Sequence, residues 1–181
     1  STSAANAGPD LETCIPLTFV QLQADTPQLP ATGTWSIVSG PGTIVDPTDP
    51  TSLLNGLQVG ITTLVWTLDN GPCANSGILT DTVQVVVYDP MAPTADAGPD
   101  QELCTPQDST VLAGNVPSFP GVGTWTLLAG SGVISDPNDP AASVTGLTIG
   151  VNTLIWTIYN GTCGFGPPST DTLNVVLFDG S

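Results

Sequence analysis

An all-β fold, two tandem copies of one β-sandwich, is what this sequence predicts. Three observations predict it: an ungapped internal repeat, apolar residues that recur with a period of two, and turn residues that punctuate them. Cys14 and Cys104, Trp35 and Trp125, Asp46 and Asp136, Gly56 and Gly146, Trp66 and Trp156, Cys73 and Cys163, and Asp81 and Asp171 all stand 90 positions apart. Two such units account for 180 of the 181 residues, so the chain reads as two tiles cut from a longer array. The expected domains are residues 1–90 and 91–181. Between them Asp-Pro-Met-Ala-Pro-Thr at 89–94 is a connector stiffened by proline, expected to hold neighbouring domains extended.

Taken in order through the first unit, each strand shows one face to a core. Val20 and Leu22 alternate with polar neighbours, as do Trp35 with Ile37, then Leu64, Trp66 and Leu68, then Val83, Val85 and Val87. Turn signals separate them at Leu29-Pro30-Ala31-Thr32-Gly33, Gly40-Pro41-Gly42, Asp46-Pro47-Thr48-Asp49-Pro50 and Asn70-Gly71-Pro72. About seven short strands in roughly 90 residues, with turns every 8 to 12 or so, is the pattern of an immunoglobulin-like sandwich. Helical periodicity is not indicated. Trp35 and Trp66 lie in phase with Ile37, Leu64 and Leu68, which predicts core anchors between two sheets rather than a platform for stacking sugars.

Composition agrees with a folded chain. Hydrophobic residues make up 40% and charged residues only 9%, so a core can form, and the 18 prolines and 20 glycines read as turn punctuation rather than disorder. Each unit has two cysteines, one near its first strand and one after its sixth. The expected pairs are Cys14 with Cys73 and Cys104 with Cys163, each closing a long loop for a gain of ~2 to 4 kcal/mol. Such bonds imply an extracellular or otherwise oxidising compartment.

The 16 acidic residues face no lysine, arginine or histidine, leaving a formal charge of -16. Phosphate neutralisation needs Lys and Arg, so nucleic acid is excluded as a partner, and an anionic membrane repels the chain for the same reason. No stretch approaches the roughly 20 apolar residues of a membrane span, so no membrane insertion is expected. No basic segment precedes an apolar one at the start, and the chain reads as a mature segment whose export signal or anchor lies outside it.

Several motifs together carry a resemblance: the Ala-Gly-Pro-Asp opening at 7–10 and again at 97–100, and Gly-Thr-Trp at 33–35 and 123–125. To these are added the Gly-Pro-Gly-Thr-Ile and Asp-Pro-Thr-Asp-Pro turns and the segment Leu-Val-Trp-Thr-Leu-Asp-Asn-Gly-Pro-Cys. Over both units the chain resembles the tandem Ig-like repeats of giant Bacteroidetes surface proteins, gliding-motility adhesins among them. The Ala-Gly-Pro-Asp start is also similar to that of polycystic-kidney-disease-type (PKD) domains, but their Trp-Asp-Phe-Gly-Asp-Gly hallmark is absent. The resemblance implies export to the cell surface and a role in adhesion, spacing or filament building. It names no ligand.

No catalytic residue is expected, because His, Lys and Arg supply most acid-base and electrophilic roles and none is present. Paired carboxylates can hydrolyse a glycoside. Here, however, the acids mostly flank turns, where Asp caps the local backbone. The absence of lysine also excludes Lys-Asn isopeptide crosslinks.

Calcium suits clustered oxygen donors in so negative a chain, and no other cofactor is expected. The candidate ligands are Asp89, Asp96 and Asp100 around the connector, and the turn acids Asp136 and Asp139 with their counterparts Asp46 and Asp49. Asp-Pro is equally ordinary turn chemistry, and no EF-hand pattern occurs.

The outward phase of the last strand holds Val86 and Tyr88, matched by Val176 and Phe178. An exposed apolar strip of this kind marks a partner surface or an edge covered by a connector or loop. Phe165 in Gly164-Phe165-Gly166-Pro167-Pro168 is a similar loop-tip candidate. Asn160-Gly161-Thr162 fits an N-glycan sequon. Thr82, Ser109 and Thr172 sit in Asp-Ser/Thr-apolar triplets resembling a Bacteroidetes O-glycosylation acceptor, though alternating strands also produce such triplets without modification.

The reading is therefore a non-catalytic extracellular structural module at the cell surface, a rigid tile of an adhesin, stalk or filament. Its partners would be neighbouring repeats or identical subunits. The alternative is a module that binds a surface glycan.

Overall fold

The computed structural model describes residues 4–71, 77–163 and 168–180. The chain divides into two compact units: Ser1–Pro90 with Gly161–Cys163, and Met91–Asn160 with Gly164–Ser181. The expected boundary at residue 90 is thus crossed by one three-residue turn.

Among the described residues each sequence repeat supplies seven strands. In the first they are β1 (Leu11–Cys14), β2 (Phe19–Gln21), β3 (Thr32–Ser39), β4 (Thr43–Ile44), β5 (Leu53–Asn55), β6 (Gly60–Asp69) and β7 (Ile78–Tyr88). They form one sheet in the order β1-β7-β6-β3 and a second in the order β2-β5-β4. The second repeat has β8 (Gln101–Cys104), β9 (Thr110–Val111), β10 (Val122–Ala129), β11 (Val133–Ile134), β12 (Ser143–Thr145), β13 (Gly150–Tyr159) and β14 (Ser169–Phe178). Its sheets run β8-β14-β13-β10 and β9-β12-β11. Two sheets in this strand order, closed over one core, are the immunoglobulin-like sandwich, and the chain is two such domains in tandem.

The alternation of buried and half-exposed residues along β6 places Thr62, Leu64, Trp66 and Leu68 inside, and β7 contributes Val83, Val85 and Val87. Trp35 on β3 meets Trp66 across the strand pair at 5.0 Å between ring centroids, and Trp125 meets Trp156 at 4.9 Å. All four indoles are at most 2% exposed. The N–H groups of Trp35 and Trp125 donate to the carbonyls of Pro50 and Pro140, each at 3.2 Å, so a polar handle in the core is satisfied. Gly-Thr-Trp then has a steric reason: a Cβ on Gly33 would overlap the Trp66 ring, and one on Gly123 would overlap Trp156.

Strand direction decides where the cysteines lie. β1 runs parallel to β7, bringing Cys14 level with Tyr88, while β6 runs antiparallel to β7 with Gly60 opposite Val87 and Asp69 opposite Ile78. Cys14 is therefore at the end of the sheet where β6 begins. β6 then runs its ten residues away, about 30 Å at ~3.3 Å per residue, before the Asn70-Gly71 turn that precedes Cys73. The second repeat repeats this: Cys104 is level with Phe178, and Cys163 follows the far end of β13.

The expected pairs Cys14 with Cys73 and Cys104 with Cys163 do not form, because Cys14 and Cys163 are bonded to each other. Cys14 instead bonds Cys163, with a Cα–Cα distance of 5.6 Å and a sequence separation of 149. Cys104 is an exposed free thiol. Cys73 lies outside the described residues.

Candidate functional site

The feature of the first unit that its own repeat does not supply is the turn at Gly161–Cys163. Cys14 and Tyr88 close β1 and β7 side by side, and Ile15 N–H donates to the Tyr88 carbonyl at 3.2 Å. Onto this corner sits the 3-10 turn Gly161–Cys163. Cys163 is covalently held by Cys14, and its Sγ lies 3.8 Å from the Thr13 carbonyl oxygen. Gly161 has φ +72°, and a Cβ built there would overlap the Tyr88 ring. Glycine thus meets two needs at once, a left-handed backbone and a flat approach to an aromatic face. Beneath the turn Tyr88 is only 6% exposed.

The second unit has the same corner, and among the described residues no turn covers it. Cys104 and Phe178 end β8 and β14 in register, and Thr105 N–H donates to the Phe178 carbonyl at 3.0 Å. Phe178 is 47% exposed. Of the apolar strip expected to face outward, Val86 and Val176 are half-buried and Phe178 is open. Tyr88 is buried beneath a turn that arrives from 73 positions later. Phe165 lies outside the described residues.

The acidic residues serve as backbone caps. Asp10 Oδ1 accepts from Gln84 N–H and Asp81 Oδ2 from Ala7 N–H, both at 2.8 Å. Asp100 and Asp171 repeat the pair with Asn174 N–H at 2.9 Å and Ala97 N–H at 2.8 Å. The Ala-Gly-Pro-Asp opening is therefore one half of a reciprocal clamp that fastens the segment before the first strand to the last strand. Sequence reasoning saw the repetition of Asp81 and Asp171 but not this role.

Of the acids named as calcium ligands, Asp96, Asp136 and Asp139, like Asp46 and Asp49, accept from backbone two residues on. Asp96 Oδ1 accepts from Gly98 N–H at 2.9 Å, Asp136 from Asn138 N–H at 2.9 Å, and Asp139 from Ala141 N–H at 2.9 Å. Asp89 is half-buried just after β7. In the first repeat Asp49 accepts from Thr51 N–H at 2.8 Å, and Asp46 accepts from Thr48 Oγ1–H at 2.8 Å and Thr48 N–H at 2.9 Å. The Thr48 hydroxyl, then its N–H, hold the Asp46 carboxyl below the ordinary value of 3.8. Among the described residues no three His, Cys, Asp or Glu side chains gather into a metal-holding group.

The glycosylation candidates are scattered. Thr82 and Thr172 are exposed on β7 and β14, Ser109 is half-buried, and Asn160 donates its amide Nδ2–H to the Pro93 carbonyl at 3.1 Å. An open indentation of about 540 Å³ beside Asn6, Asp25, Pro27 and Leu68 holds one carboxylate, Asp25, which accepts from Asn6 Nδ2–H at 3.0 Å. No described helix is long and apolar enough to cross a membrane.

No protein-family model matches the chain, and no curated protein matches it. Solved structures similar to it include the PKD domain from the KIAA 1837 protein, at 31% identity and a TM-score of 0.41, covering 49% of this chain and 88% of that one. Another is the PKD domain of human KIAA0319, at 23% identity and a TM-score of 0.40, covering 48% of this chain and 80% of that one. A third, extracellular domains 3–5 of Drosophila OTK, is 10% identical with a TM-score of 0.42, covering 97% of this chain and 62% of that one.

Proposed function

We propose that the chain is a non-catalytic extracellular structural module, a pair of Ig-like tiles in a bacterial surface adhesin, stalk or filament. The observation that carries this reading is the Cys14–Cys163 bond, which joins a strand cysteine of one sequence repeat to the turn cysteine of the next across 149 positions. A disulfide of this kind persists in oxidising surroundings such as a cell exterior. Its topology also suits a part that is pulled on. Tension applied at the two ends of the chain passes from residue 14 to residue 163 through the sulfurs and bypasses everything between them. The remaining polar chemistry supports the same reading, since the Asp side chains described above are engaged as caps and clamps and the tryptophans lie in the cores.

The experiment is twofold. Antibody raised against the chain is applied to intact and to permeabilised cells of the source organism, and the purified chain is screened on an array of surface polysaccharides. Labelling of intact cells without saturable glycan binding is the expected result. Labelling only after permeabilisation overturns the extracellular placement, and saturable binding of a defined glycan makes the chain a binding module instead.

A further inference from the structure

We infer that the Cys14–Cys163 bond is a redox-sensitive latch with a non-covalent catch: the Tyr88 ring keeps the Gly161–Cys163 turn docked when the bond is open, so reduction frees the sulfurs without releasing the turn. The inference deepens the structural-module reading and rests on it only for the use such a chain has for a bond that re-forms in place. Its chemistry lies within the first compact unit, to which the turn belongs.

The ring contact and the bond are separate attachments. A disulfide holds the two Cα atoms of Cys14 and Cys163 5.6 Å apart, but it does not dictate how a residue two positions earlier is placed. Gly161 is nevertheless left-handed and so close to Tyr88 that a Cβ would fall against Cγ, Cδ2 and Cε2 of the ring. On the outward phase of β7, Thr80, Thr82 and Gln84 are exposed and Val86 is half-buried, yet Tyr88, next in that phase, is 6% exposed. Phe178, at the equivalent place in β14, is 47% exposed, and among the described residues no turn lies on it. The turn, not the sheet, therefore supplies the cover.

The receptor for the turn does not depend on the sulfurs. β1 and β7 pair in register up to Cys14 and Tyr88, Ile15 N–H closes that pair on the Tyr88 carbonyl, and the Tyr88 hydroxyl reaches Glu12 Oε1 at 3.4 Å. All of these groups belong to the first repeat. Reduction also adds a contact, because Cys163 Sγ lies 3.8 Å from the Thr13 carbonyl oxygen and a thiol there is a weak donor to it. The docked turn keeps the two thiols side by side, so closure is an intramolecular step at a high effective concentration.

Cys14 and Cys163 are both half-buried, which leaves the bond within reach of a small thiol. A glutathione thiolate attacks one sulfur, forming a mixed disulfide and releasing the other cysteine as thiolate. A second glutathione thiolate displaces the first cysteine. One protein disulfide becomes two thiols, two glutathione thiols become one glutathione disulfide, and the two glutathione protons end on the cysteine sulfurs.

The test uses the full chain with Cys73→Ser and Cys104→Ser, so that one pair of sulfurs titrates. It is equilibrated in glutathione buffers of graded ratio, and the oxidised fraction is read by alkylation and mass spectrometry. The ring area that the turn covers is on the order of 80 Å², so Tyr88→Ala should lower the equilibrium constant for the bond about thirty-fold. Tyr88→Phe keeps the ring and should stay within about three-fold of the parent. Gly161→Ala should lower the constant at least about ten-fold from the turn side. Gly161 lies on no strand, so its variant decides the matter if circular dichroism shows that Tyr88→Ala has unfolded. In the fully reduced chain a nuclear Overhauser contact between Gly161 Hα and the Tyr88 ring is expected. Its absence, or one constant shared by the parent and Gly161→Ala, overturns the latch and leaves the structural-module reading standing. Saturable glycan binding sinks that reading and leaves the latch untouched.

Discussion

The two corners that end the last strand of each repeat are nearly the same object in different circumstances. Cys14 beside Tyr88 is covered and crosslinked, and Cys104 beside Phe178 is open and reduced. Their backbones agree in register and in the bond that closes the strand pair. The side chains differ in a way that fits their surroundings. Tyr88, buried under the turn, keeps its hydroxyl within 3.4 Å of Glu12 Oε1, an outlet that a polar tip requires when its ring is covered. The comparison teaches that the first repeat does not complete itself: Cys14 is bonded by a turn of the other sequence copy, while the Asn70-Gly71 turn of its own copy follows the far end of β6.

The largest separation between the corners should appear under force. When the oxidised chain is pulled from its ends, residues 15–162 stay bypassed, and adding a reductant should release extra length on the order of 500 Å, from ~3.5 Å per residue over the 149 positions spanned. Cys14→Ser should give that release without reductant, and Cys104→Ser should behave as the parent chain. Equilibrium unfolding offers a second reading. Removing a native disulfide typically costs ~2 to 5 kcal/mol, whereas a surface change such as Cys104→Ser should stay within about 0.5 kcal/mol. Equal extension traces for the two variants would break the distinction between the corners.

A smaller effect tests the fit of the turn itself. Alanine in a left-handed conformation costs roughly 1 to 2 kcal/mol, and both Gly71→Ala and Gly161→Ala incur that loss. Only at Gly161 does the new methyl also meet the Tyr88 ring, and forcing an extra carbon into a packed site adds about 1 to 3 kcal/mol. Denaturant titration under oxidising conditions should therefore rank Gly161→Ala as the costlier change by about that amount. Losses of the same size would show that the turn does not press on the ring.

Much of the scaffold was legible because it depends on local rules. Period-two alternation marked the buried faces of β3, β6 and β7, and the spacing of Trp35 and Trp66 within that phase placed them in the core. The cysteine pairing was not legible, because it turns on β1 running parallel to β7, a long-range choice that leaves no trace in the composition of Leu11–Cys14. Counting strands placed Cys14 and Cys73 in one repeat; strand direction puts Cys14 at the end of the sheet opposite the Asn70-Gly71 turn. Tyr88 and Phe178 show the same limit, since equivalent positions differ in burial through a segment remote in sequence. The acids fall between these cases. Asp at a turn reads as a cap from its neighbours alone, but the Asp10 and Asp81 clamp joins residues 74 apart.

The turns at 46–49 and 136–139 provide the finest comparison. Asn138 replaces Thr48, and instead of a hydroxyl bond to the preceding Asp it sends Nδ2–H to the Gly123 carbonyl at 2.9 Å, tying the turn to β10. The Thr48 hydroxyl is the main reason the Asp46 carboxyl titrates below 3.8. A depressed value means that the folded chain binds the Asp46 proton less readily than the unfolded chain does. The stability it confers is present above about pH 3.8 and is lost as pH falls through the lower folded value. With 16 acids and no base, acidification also relieves charge repulsion in the same range, so the raw pH profile mixes two opposing slopes. The difference between the parent chain and Asp46→Asn isolates one of them: it should favour the parent at neutral pH and vanish in acid. Carbon-13 titration of the Asp46 carboxyl locates the midpoint directly. Thr48→Val removes the largest cause and should move that midpoint upward; a midpoint that stays where it was would mean that the hydroxyl does not set it.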